Sequence, residues 1–205
     1  MAENEAPLPP AYKMYVDLME EARLRIEALN FAIMARETWN HRLLQEFCYL
    51  QLRILCEQIA IGCLIAHGEI KNNKALKAWR VPDIMKALEN LDENYFPTGI
   101  VLTSDGKSAD AVLNTNLQIT KVELSKLWEK SGQLLHRGTA LSVMQSHNKV
   151  LNVNLDIVIL WAQKISNLLS QHTIPTADKR YILIAALSSG EHGGHAGIWI
   201  AASPS

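Results

Sequence analysis

The sequence predicts a mainly α-helical bundle closed by a C-terminal β-hairpin. Three observations carry that expectation. The stretch from Asn40 to His67 is apolar on almost every face from Phe47 onward, with no proline and no glycine before Gly62. Such a helix needs neighbours around most of its circumference, which is the situation inside a bundle. On either side of it, apolar residues recur at three- and four-residue steps, the period of helices with one buried stripe. Near the C-terminus two short apolar runs flank the glycine-rich GEHGGHAG, the pattern of a hairpin over about 180–202.

Residues 1–9 are acidic and proline-rich, lack the basic and apolar regions of a signal peptide, and are expected to be disordered. Pro9 and Pro10 suit a helix start, where a missing N–H is harmless. Leu18, Ala22, Ile26, Leu29 and Ile33 then mark one stripe of a helix running to about Arg36. Thr38 or Asn40 caps the central helix, and Gly68 ends it. Pro82 and Asp83 open a short helix through Leu91. Turn signals fill 92–120, with Ile100-Val101-Leu102 as a possible strand and 104–119 as a long exposed loop. Thr120 and Glu123 form a capping-box pattern for a fourth helix that ends near Gly138. Leu151, Leu155, Val158, Ala162, Ile165 and Leu169 predict a last long helix from about Ser146 to His172. Neither an internal repeat nor a linker divides 10–205, so a single domain is expected.

Composition narrows the function classes. At 48% hydrophobic and 20% charged residues the chain reads as globular. A net charge of −1 provides no global attraction to nucleic acid or anionic membrane. The run from Phe47 to Ala66 holds Arg53 and Glu57 near its centre, which argues against a membrane span. Cys48, Cys56 and Cys63 all lie on the central helix, roughly 10 Å or more apart along its axis, too far to pair. They are expected to be buried free thiols, as suits the cytoplasm. Both hairpin strands are apolar on both faces, so one face packs on the helices and the other is covered by the Ile100 segment or by a second chain; a homodimer is expected.

The central helix carries one polar stripe: Glu46, Tyr49, Arg53 and Glu57, spaced by three and four. Arg53 and Glu57 read either as an ion pair locking helices together or as a cleft where Arg53 binds an anion and Glu57 orients it. His136-Arg137-Gly138 reads as a helix terminus with a cationic histidine and a glycine cap, or as acid–base chemistry on a phosphodiester. Lys71, Lys74, Lys77 and Arg80 place a basic residue at every third position, either a solvated face or a small phosphate-contacting patch. Beside them Trp79 anchors the connection to the core or stacks a base. Glu191, His192 and His195 stand close together at the hairpin tip, but three short-range ligands in a glycine loop do not make a metal site. No phosphate loop, dinucleotide fingerprint or nucleophile elbow is present, and no cofactor is expected.

The segments LQLRILCEQIAIGCLIAHGEI (50–70) and LWEKSGQLLHRGT (127–139) resemble the HEPN-type helical bundles. The resemblance covers about 12–172. It implies an all-α, often homodimeric protein of the kind common in bacterial antiphage and toxin–antitoxin systems. Active members are metal-independent ribonucleases with an arginine four to six residues before a histidine. Here Lys130 stands upstream of His136, and Arg137 follows it. Lysine lacks the planar fork that clamps a phosphate through two hydrogen bonds. The expectation is therefore a non-catalytic binding or interaction module with an RNA or protein partner. The alternatives are a ribonuclease built on His136 with Arg53 or Arg137, and a small-ligand sensor whose pocket is the polar stripe.

Overall fold

The computed structural model describes residues 10–67, 77–104, 109–135, 154–176 and 179–203. Five α helices dominate them: α1 (Pro10–Met34), α2 (His41–Ala66), α3 (Val81–Glu89), α4 (Lys121–Leu135) and α5 (Leu155–Leu169). Five strands accompany them: β1 (Thr98–Ser104), β2 (Ala109–Leu113), β3 (Gln171–Pro175), β4 (Tyr181–Ala186) and β5 (Gly197–Ala202). The chain is mainly helical, as its periodicities require. The expected disorder of residues 1–9, the helix stop at Gly68 and the turn at Gly138 lie outside the described residues.

α2 is the element on which the rest packs. α1 and α4 pack against it most extensively, and α3 and α5 also contact it. Its buried positions include Leu44, Cys48, Leu52, Leu55, Cys56, Ile59 and Cys63, one broad face of the 3.6-residue period. Tyr15, Met19, Ala22, Ile26 and Leu29 of α1 meet that face. Each fully buried leucine or isoleucine there contributes about 1.5–3 kcal/mol. By length and composition α2 could cross a bilayer, yet 67% of its most apolar window is buried inside the fold.

Local chemistry sets the helix ends. The Asn40 side chain accepts from the amides of Arg42 and Leu43, so Asn40, not Thr38, caps α2. Thr38 instead donates its hydroxyl to the Ala35 carbonyl. At α4 the capping box is reciprocal: Glu123 N–H donates to Thr120 Oγ1, and Thr120 N–H to Glu123 Oε2.

The strands form one antiparallel sheet in the order β2-β1-β3-β4-β5. This changes the expectation for the C-terminal half in three ways. The segment 104–119 is not all loop: β2 pairs with β1, Val101 opposite Val112. The last helix ends at Leu169 rather than His172, because residues 171–175 are claimed by β4, with His172 opposite Ala185 and Ile174 opposite Leu183. β4 and β5 are therefore two strands of five, not an appended pair. The inner face of this sheet (His172, Ile174, Leu183, Ala185 and Ile198) is buried against the helices.

The loop between β4 and β5 is fastened to α1. Glu20 accepts from the Ala196 amide and from His195 Nδ1, both at 3.0 Å, and also from Arg23. Arg23 leads the donors that hold the Glu20 carboxyl well below the usual carboxylate range.

Candidate functional site

The polar stripe of α2 meets α4 at one tryptophan. Arg53 lies over the Trp128 ring with its guanidinium carbon 4.0 Å from the ring centroid. Its Nη1 donates to the Trp128 carbonyl at 3.1 Å, and its Nε faces Glu57 Oε1 at 3.3 Å. Trp128 Nε1 closes the loop by donating to the same Glu57 oxygen at 2.7 Å. The guanidinium fits because residue 132, one turn further along α4, is glycine; a Cβ there would fall 2.5 Å from Arg53 Nη1. Arg53 and Glu57 are 19% and 32% exposed, so the pair sits at a rim rather than in the core.

The other two members of the stripe go elsewhere. Glu46 pairs with Arg42 at 3.0 Å, and Tyr49 is buried, which raises its pKa. The stripe thus divides into a surface pair, a core tyrosine and the Arg53–Glu57–Trp128 unit.

His136, Arg137, Lys71 and Lys74 lie outside the described residues. Lys77 and Arg80 are both exposed, and Arg80 stands 3.8 Å from Asp83 at the start of α3. Trp79 is not a core anchor: it is 71% exposed and touches Trp128 edge-on, the ring centroids 6.2 Å apart. The hairpin-tip groups are dispersed. Glu191 accepts from Trp199 Nε1, the His192 ring packs edge-on against Trp199, and His195 binds Glu20. Among the described residues no cluster of three His, Cys, Asp or Glu side chains could hold a metal.

α3 and α4, with Tyr95, line an open groove of about 340 Å³. Pro82, Met85 and Tyr95 supply its apolar surface, and Lys86, Lys121 and Lys126 bring positive charge. Lys121 is paired with Glu89, and Glu129 also lines the groove. The linear sequence did not reveal this groove, because its cations come from two helices more than thirty residues apart. Trp128 and Gly132 were also missed, although a glycine inside an apolar helix, costing about 1 kcal/mol against alanine, was a readable sign of close approach.

Two buried groups complete the inventory of chemistry. The Tyr15 hydroxyl and His172 Nε2 are 2.6 Å apart in the core, and burial lowers the His172 pKa to about 4. The three cysteines are free and buried, and desolvation pushes Cys48 up to about 11 and Cys56 and Cys63 higher still. None of these is a nucleophile or base open to solvent.

The chain matches no family model, no curated protein and no solved structure. Its chemistry therefore has to be read from the geometry. A cation stacked on an indole and twice engaged is a packing device first. With Nη1 and Nε engaged, only Nη2 is left, and one nitrogen does not make the two-point clamp on a phosphate.

Proposed function

We propose that the chain is a non-catalytic, HEPN-like helical binding module that acts as a homodimer. One observation carries the reading: Arg53 and Glu57, the described pair best suited to acid–base or anion chemistry, satisfy each other and Trp128. A ribonuclease needs a cation facing the scissile phosphate and a base near the 2′-hydroxyl. Neither function is served by a pair whose geometry is spent on holding α2 to α4. The exposed Trp79, with Lys77 and Arg80 near it in sequence, and the lysine-bearing groove between α3 and α4 support contact with an RNA or protein partner. A place in bacterial defence or regulation follows from the HEPN resemblance.

The test is cleavage of labelled single-stranded RNA in EDTA by the wild-type chain and His136→Ala. No cleavage by either is expected. Cleavage abolished by His136→Ala overturns the reading in favour of a metal-independent ribonuclease. The same RNA at several salt concentrations then identifies the partner class: affinity falling steeply with salt indicates RNA, and its absence a protein.

A further inference from the structure

Among the described residues much of the outer face of α2 is exposed, although Phe47 leans on Trp39 and Glu57 accepts from Trp128. Leu43, Phe47, Leu50, Ile54, Ile61 and Leu64 recur at four- and three-residue steps, with Glu57 as the single polar position in the series. Leu43, Leu50 and Ile61 are 57%, 42% and 40% exposed, and the other members are half-buried. Three heptads of largely apolar seam, about 32 Å long, thus lie along the surface of α2. The core takes the opposite side of α2, and of the seam only Phe47 and Leu64 also lean on it.

We infer that this seam is the interface for a second copy of the chain, with the two α2 helices packed antiparallel across a two-fold axis near residues 48 and 49. Charge selects both the occupant and the direction. In the heptad set by the seam, Glu46 and Arg53 fall at successive flanking positions on one side, and Gln51 and Gln58 on the other. An antiparallel pairing that sets Phe47 on Leu50 of the second copy also sets Glu46 against Arg53 of that copy, twice by symmetry. A parallel pairing sets charge against glutamine and brings the two Glu57 side chains together in the apolar seam. Arg53 keeps one terminal nitrogen, Nη2, without a hydrogen-bond partner among the described residues, and it is the atom left for Glu46 of the second copy. The same arrangement carries Ile61 and Leu64 toward the corner after α1, where Phe31 and Met34 are otherwise exposed. This moves the expected dimer contact from the C-terminal strands to α2. It rests on the α2 surface alone and is independent of whether RNA is bound or cut.

Light scattering across a micromolar concentration series tests it on the full chain. Wild type is expected at twice the single-chain mass. Leu50→Glu, at an exposed position, is expected to weaken association by roughly 100-fold or more while the helical circular dichroism and melting stay cooperative. Glu46→Arg, on the protein surface, is expected to weaken it as well, through arginine facing arginine. A spin label at His41→Cys fixes the direction: two labels about 22 Å apart along the axis in the antiparallel pair, side by side in a parallel one. A wild-type monomer, including one that instead floats with anionic vesicles, overturns the proposal. So does a dimer that survives both substitutions, or labels found side by side.

Discussion

The Tyr15 hydroxyl donates to His172 Nε2 at 2.6 Å, tying the first described helix to a strand 157 residues later. The other ring nitrogen, Nδ1, donates to the Leu169 carbonyl, so the imidazole is held neutral in one tautomer. Both side chains are almost wholly buried, and the bond spans the junction of helices and sheet.

Stability should therefore fall as pH drops from about 6.5 toward 4. Burial lowers the folded-state His172 pKa from 6.5 to about 4, so the unfolded chain binds the proton first within that window. Above it, the contribution is fully present. Urea midpoints taken every half unit should show the decline, and His172→Gln, which keeps an acceptor without a titration, should flatten it. Tyr15→Phe should cost about 1–3 kcal/mol by leaving a buried nitrogen unpaired.

The Arg53–Trp128–Gly132 contact should behave as one coupled unit. Glu57→Gln should cost only about 1 kcal/mol, because the pair is partly exposed and Gln still accepts from the indole. Gly132→Ala should be destabilising by about 1–2 kcal/mol, since the new methyl displaces Arg53 from the Trp128 carbonyl. In an Arg53→Met background the same change should gain up to about 1 kcal/mol from helix propensity. Additive effects in the thermal double-mutant cycle would show that the two residues do not meet.

Thiol chemistry offers a probe of opening. Cys56 and Cys63 are buried with pKa values raised by desolvation, so a disulfide reagent at pH 8 should label neither at an appreciable rate in the native state. Their labelling should follow global unfolding and accelerate with urea. Rapid modification without urea would contradict the burial of α2's inner face.

Glu20 should govern the loop between β4 and β5. Glu20→Gln removes the charge that receives Arg23, His195 and the Ala196 amide. Hydrogen exchange at Ala196 should quicken while the β3–β4 amides keep their protection. An unchanged Ala196 rate would mean that the loop is held by something other than this carboxylate.

What the sequence determined by itself was local and periodic. The apolar circumference of α2, the stripe on α1, the Thr120–Glu123 box and the Arg53–Glu57 spacing depend on residues within a few turns of one another. One-dimensional order reports them directly, whereas the choice of Asn40 over Thr38 as the α2 cap needed the structure. What the tertiary structure decided was long-range pairing. β3 was hidden because its first two residues, Gln171 and His172, run on from the helical stripe, and only the ladder offered by Tyr181–Ala186 claims them. β2 was hidden because a short exposed strand carries little periodicity of its own. Trp128 could not be matched to Arg53 in advance, since the side-chain partner across two helices depends on their crossing. The exposed heptad of α2 is the instructive mixture: the apolar pattern was visible in the chain, but only packing revealed which side folding had left uncovered.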